Sequence, residues 1–272
     1  MTAYRVIGVS FGAWVLSVSS VLAEAPRTMT LVDLLEVPRV SEPQLSPDGA
    51  QVLYVRSDAD WNANRGVSHI WRVNRDGSGS VQLTTGVASE TSPRWAPDGN
   101  TLAFLSTRNT ADHTQIYLLD NRGGEARQFT RHPTAVTHVA WSSDGAAMYF
   151  LATDEKTDAW HQRENTQDDV YAFEENFEHR HLWTVRVSDG TTTKVTDGDY
   201  SILSYELSAD GRQLAVHRAP NPVLEYRDAS EVWVMDVDGA NASRVTSNGV
   251  SESRAQISPD GSEVLFLSRS SA

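Results

Sequence analysis

One arrangement of apolar and polar positions recurs five times along the chain. It reads "PQLSPDGAQVLYV" at 43–55, "PRWAPDGNTLAFL" at 93–105, "VAWSSDGAAMYFL" at 139–151, "YELSADGRQLAV" at 205–216 and "QISPDGSEVLFL" at 256–267. In each, an Asp-Gly turn separates an approach segment from a short continuous apolar run. Such runs, bounded by turn residues, suit strands buried on both faces. Glycine supplies the positive φ that the turn needs, and Pro47, Pro97 and Pro259 fit its preset φ. The turn glycines are Gly49, Gly99, Gly145, Gly211 and Gly261, at intervals of 50, 46, 66 and 50 residues. A period of this size marks blades or solenoid units.

A second hairpin follows in the first four units. Its aromatic strands carry Ile70-Trp71, Ile116-Tyr117, Leu182-Trp183 and Val232-Trp233; its closing segments are "VQLT", "RQFT", "TKVT" and "SRVT". One unit is therefore four antiparallel strands. A single such unit cannot bury its two apolar faces, whereas radial stacking does, so the expected fold is an all-β propeller of four-stranded blades. The fifth unit has its approach strand, turn and apolar run, and then "SRSSA". The expectation is an incomplete propeller, four blades plus half of a fifth, and the chain reads as a fragment of a longer protein.

Residues 1–23 read as a signal peptide: Arg5 is the positive end, Val6–Val21 is mostly apolar or small, and Val21-Leu22-Ala23 offers small residues before a cut. A lead-in segment at 24–39 precedes the propeller at 40–272. The chain has no cysteine, which excludes disulfides, a lipidated Cys and thiolate metal sites. A periplasmic or secreted location is expected, with no membrane attachment after signal cleavage. The net charge of −13 argues against nucleic acid, whose binding rests on clustered Lys and Arg. No cofactor motif is present. Asp236-Val237-Asp238-Gly239 reads as a turn, because the further acidic ligands of a calcium loop do not follow.

The "SPDG" repeats, the lead-in "MTLVDLLEVPRVSEPQLSPDG" and the segment "DDVYAFEENFEHRHLW" resemble the N-terminal propeller of the prolyl oligopeptidase family of serine peptidases, in its acylaminoacyl-peptidase and dipeptidyl-peptidase-like branches. The resemblance covers essentially all of the chain after the signal peptide. It implies a propeller that restricts access to a C-terminal α/β-hydrolase domain and contributes to binding a peptide substrate, the hydrolase supplying Ser, Asp and His. No G-x-S-x-G nucleophile elbow occurs in this chain. The "DGSGSVQ" near Gly77 lies in a hairpin turn, and no alternating β/α units are found. No catalytic residue is therefore expected here, and the missing hydrolase domain is the expected partner. Since TolB-like propellers share the "SPDG" element, a periplasmic protein-binding scaffold is the alternative.

The long interval comes from an insertion at about 154–181, charged and rich in aromatics: Trp160, Tyr171, Phe173 and Phe177. Loops of this length are usually functional or disordered. The dipeptidyl peptidases of the resembled family hold the substrate's ammonium with a Glu pair, which implies a substrate-binding role for Glu174 and Glu175. Here the pair precedes the aromatic strand "HLWTV" rather than the blade-opening turn. The alternative is an insert that packs its aromatics on a blade edge with its acids in water. His161, His179 and His181 with Glu178 could suggest a metal; with Arg180 between the last two histidines and no further motif, no metal site is expected, and polar contacts to the missing domain are the other reading.

Overall fold

The computed structural model describes residues 27–109, 113–167, 177–223, 226 and 229–269. The chain divides into two units, at Met1–Glu36 and Val37–Ala272. In the first, α1 (Leu31–Glu36) starts at a reciprocal cap. The Asp33 N–H donates to Thr30 Oγ1, and the Thr30 N–H donates to Asp33 Oδ2. The Arg27 fork also binds Asp33, and this ion pair, helped by Thr30, holds the Asp33 carboxyl far below its usual range.

The second unit is a series of antiparallel sheets. The first is β1 (Arg39–Leu45), β2 (Gln51–Asp60), β3 (Arg65–Asn74) and β4 (Val81–Gln82). The second is β5 (Glu90–Trp95), β6 (Thr101–Ser106), β7 (Gln115–Asp120) and β8 (Arg127–Gln128). The third is β9 (Val136–Trp141), β10 (Ala147–Thr153), β11 (Arg180–Arg186) and β12 (Thr192–Lys194). The fourth is β13 (Ser201–Leu207), β14 (Gln213–Ala219), β15 (Glu231–Asp236) and β16 (Ser243–Arg244). The fifth has two strands, β17 (Glu252–Ile257) and β18 (Val264–Ser268). Each four-stranded sheet pairs its strands in chain order. The expected four blades and a half are therefore present, and the ring is open.

The core lies between the sheets. Leu53 and Ile70 of the first meet Trp95, Leu102, Phe104 and Tyr117 of the second. Leu105 and Ile116 meet Met148, Phe150 and Val185 of the third. Leu151 and Leu182 meet Ile202, Leu214, Val216 and Met235 of the fourth. The last interface is thinner: Ala215, Val232 and Ala255 are its buried members. The second, third and fourth sheets are thus covered on both faces, which suits the apolar residues on both faces of β6, β10 and β14. Burial of one such Leu or Phe contributes on the order of 1.5–3 kcal/mol.

The five turns share one set of bonds. The Asp side chain accepts the N–H two residues on: Asp48 from Ala50, Asp98 from Asn100, Asp144 from Ala146, Asp210 from Arg212 and Asp260 from Ser262. In the last turn the Ser258 hydroxyl, followed by the Ser262 N–H and hydroxyl, brings the Asp260 carboxyl down to about 2. The glycine that follows has φ near +70° throughout. At Gly211 space adds a second demand, since a Cβ there would sit 2.2 Å from Ser143 Oγ in the turn of the preceding sheet. The Asp236–Gly239 stretch is a turn as expected, with Asp238 accepting the Ala240 N–H and Asp236 accepting from Asn241.

The insertion contains an element the period does not predict, α2 (Asp158–Asn165), capped by the Thr157 side chain. Glu174 and Glu175 lie outside the described residues.

Candidate functional site: the inner-strand funnel and the sheet-to-sheet latches

The first strand of every sheet is bulged against its neighbour. In four of the five the bulge holds a non-glycine residue in the left-handed region: Glu42, Ser92, His138 and Arg254, at φ +53° to +55°. Each sits seven residues before its turn glycine. Such a conformation costs on the order of 1 kcal/mol, and a bulge re-aims the side chains around it. One bulge also joins two sheets, because Glu42 Oε2 accepts the Ser92 N–H at 2.6 Å.

These strands surround a funnel of about 760 Å³, lined among others by Arg94, His138, Ser204, Glu206, His217 and Arg254. Glu206 opens onto the funnel, yet the protein around it replaces enough water to raise its carboxyl pKa, with Arg94 opposing. Buried His217 is pushed below the usual imidazole value by desolvation, with Glu252 opposing, so it is neutral at pH 7; its Nδ1 bonds Ser204 Oγ at 2.8 Å. Tyr205 Oη lies 2.5 Å from the His138 carbonyl and 2.8 Å from the Tyr149 carbonyl, donating its proton between them. The wall thus offers guanidinium donors, one carboxylate and neutral imidazoles. It can hold a polar ligand bearing charge of either sign, but it contains no activated nucleophile among the described residues.

A second polar system ties sheet to sheet. The closing-segment threonines Thr84, Thr130, Thr196 and Thr246 accept the backbone N–H groups of Ile70, Ile116, Leu182 and Val232 at 2.8–3.0 Å. Thr84 then donates to Glu90 and Thr246 to Glu252, the first residues of the next sheets. Glu90, with no exposed side-chain surface, also binds His69 at 2.8 Å and the Arg108 guanidinium. A buried carboxylate is tolerated there because every neighbour is a donor, two of them cationic or potentially so. The recurrent Thr at the end of each closing segment was the sequence signal for this system.

Serine, histidine and aspartate do converge at one place. His179 Nδ1 lies 3.1 Å from Ser201 Oγ, and His179 Nε2 lies 2.9 Å from Asp199 Oδ1. Two features exclude a catalytic triad. Ser201 is 1% exposed, so no substrate carbonyl reaches its oxygen, and the hydroxyl already receives the Arg180 N–H. The group instead fastens the third sheet to the fourth.

The histidines considered for metal separate. His161 is on α2 and faces Glu164. The rings of His179 and His181 stand 6.3 Å apart at a tilt. Glu178 lines a small cavity with Lys156, Trp160 and Phe177. "DGSGSVQ" is a turn in which Asp76 accepts from Ser78.

Known proteins share this architecture. The model of the PD40 family, "TolB beta propeller domain", matches residues 35–178. The uncharacterized peptidase YuxL of Bacillus subtilis is 33% identical over 145 residues, 53% of this chain and 22% of its own length. Dipeptidyl-peptidase 5 of Porphyromonas endodontalis is 36% identical over 109 residues, 40% of this chain and 16% of its own. The chain thus spans about a fifth of the curated relatives it matches. Among solved structures, the putative TolB of Agrobacterium tumefaciens superposes with a TM-score of 0.54 at 19% identity, over 85% of this chain and 91% of that one.

Proposed function

This chain belongs to the PD40 family of TolB β-propeller domains, and from that premise we propose that it is the propeller portion of a secreted or periplasmic serine peptidase of the prolyl oligopeptidase family. The observation that carries the reading is sequence similarity to two peptidases, each several times longer than the matched stretch. In this reading a hydrolase domain encoded beyond Ala272 performs the chemistry. The propeller limits access to that domain, and the funnel around Arg94, Glu206 and Arg254 receives a peptide chain, whose ends and side chains carry both signs of charge. Glu174 and Glu175 hold the substrate's ammonium by charge-assisted bonds. No helix among the described residues is long and apolar enough to cross a membrane.

Reading the gene downstream of Ala272 and labelling its full product with a fluorophosphonate probe tests this. The expected result is a continuing frame with a G-x-S-x-G elbow and stoichiometric labelling of the full product, with none of the 272-residue chain. A stop codon directly after Ala272 overturns it and favours the second reading, a protein-binding scaffold. The TolB likeness over nearly the whole of that structure supports the scaffold reading.

A further inference from the structure

The latch between the third and fourth sheets is incomplete, and the gap has the chemistry of a cation site. His181, in β11, has no exposed surface. Its Nδ1 lies 3.2 Å from Thr196 Oγ1, while its Nε2 is buried with no hydrogen-bond partner. The equivalent residue of the first sheet, His69, is satisfied by Glu90, which follows Thr84 by six residues. Six residues after Thr196 stands Ile202. The next sheet therefore supplies an apolar side chain where the first latch has a carboxylate.

Other carboxylates converge on the orphaned nitrogen. The ligand atoms of Asp154, His181 and Asp197 all lie within 4.8 Å of one another, the one such His/Asp/Glu trio among the described residues. Asp154 Oδ2 is 3.5 Å from His181 Nε2. The Lys194 ammonium occupies the space between the acids, 2.9 Å from Asp154 and 2.6 Å from Asp197.

We propose that Asp154, His181 and Asp197 form a divalent transition-metal site, which the metal enters by displacing the Lys194 ammonium. One imidazole and two carboxylates are a donor set that zinc accepts at about 2.0–2.2 Å, with water completing the tetrahedron. The ligand atoms must close in by roughly 1 Å from their present spacing. Asp197 has room to move, its side chain being 83% exposed. The outer shell is already in place: Thr196 Oγ1 can take the Nδ1–H, which leaves the Nε2 lone pair for the metal. The ammonium on its flexible stem can swing to water, and a dication then replaces a monocation between the same two acids.

The test is titration of the chelator-stripped 272-residue chain with ZnCl₂ by calorimetry, and with CoCl₂ by visible absorption. The expected result is one equivalent of Zn²⁺ and a tetrahedral cobalt spectrum. Lys194→Met removes the competitor and should tighten binding roughly tenfold, about 1.4 kcal/mol. Asp197→Asn, at an 83% exposed side chain, should weaken it at least about tenfold. His181→Gln should abolish the cobalt spectrum, with circular dichroism reporting the fold. Absence of saturable binding in the natural chain overturns the site, even if Lys194→Met binds. Unchanged affinity in Asp197→Asn overturns it as well, by placing the metal elsewhere.

Discussion

The second and fifth sheets are written alike and fare differently. β6 reads "TLAFLS" and β18 reads "VLFLS". In β6 Ala103 is 0% and Leu105 4% exposed; at the matching positions of β18 Leu265 is 70% and Leu267 54% exposed. The turns before them are built from the same Asp and Gly bonds. What differs is cover: the second sheet has a sheet on each face and two further strands of its own, whereas the fifth packs on the fourth alone. The apolar pattern of a blade is thus a statement about its neighbours rather than about itself.

Truncating matched side chains sharpens this comparison most. Phe104→Ala opens a cavity between the first and second sheets and should cost about 3–5 kcal/mol in urea denaturation. Phe266→Ala, in β18, should cost below about 1.5 kcal/mol. Equal losses would mean that the fifth sheet is as well packed as the second.

The matched carboxylates give the next contrast. Glu90→Gln leaves Arg108 and His69 facing a neutral amide in a buried site and should cost about 3 kcal/mol. Glu252, whose partners are the neutral Thr246 and Asn248, should lose about 1 kcal/mol as Gln. The same denaturation midpoints read both.

A smaller effect is expected with pH. Burial depresses the pKa of His217 in the folded chain, so the unfolded chain takes up this proton first as pH falls. Its contribution to stability is full above the unfolded histidine value of about 6.5 and is lost progressively below it. Denaturation at pH 7.5 and 5.5 should show the loss, and His217→Gln should reduce it. An unchanged slope in the variant would remove His217 as a cause.

The smallest change in folding free energy is expected at the edge. Leu265→Lys with Leu267→Lys should alter stability by no more than about 0.5 kcal/mol. It should, however, suppress self-association in light scattering, because an exposed apolar edge strand is a template for pairing. Association that persists in the double variant would place the sticky surface elsewhere.

Much of this fold was legible in the sequence because a blade repeats. Five Asp-Gly turns and four aromatic strands fixed the count of hairpins, and the apolar runs placed β2, β6, β10, β14 and β18. The bulges at Glu42, Ser92, His138 and Arg254 were not legible, since nothing in those residue types asks for a positive φ. The Thr latches left a visible trace, a repeated Thr at a fixed place, but their partners vary: Glu90 and Glu252 of the next sheet for Thr84 and Thr246, Gln115 and His181 of the same sheet for Thr130 and Thr196. The sequence marks His181 together with His161 and His179, but not its companions Asp154 and Asp197, which the chain brings in from either side of β11. The helix Asp158–Asn165 was missed because its residues are polar all round and carry no 3.6-residue stripe.

Hydrogen–deuterium exchange of the two matched strands tests most directly whether cover, rather than sequence, separates the second sheet from the fifth. The account predicts that amides of 101–106 exchange only at the rate of global unfolding. Those of 264–268 should exchange at least about a hundredfold faster, through local opening that leaves the other sheets intact. Equal protection of the two strands would contradict it.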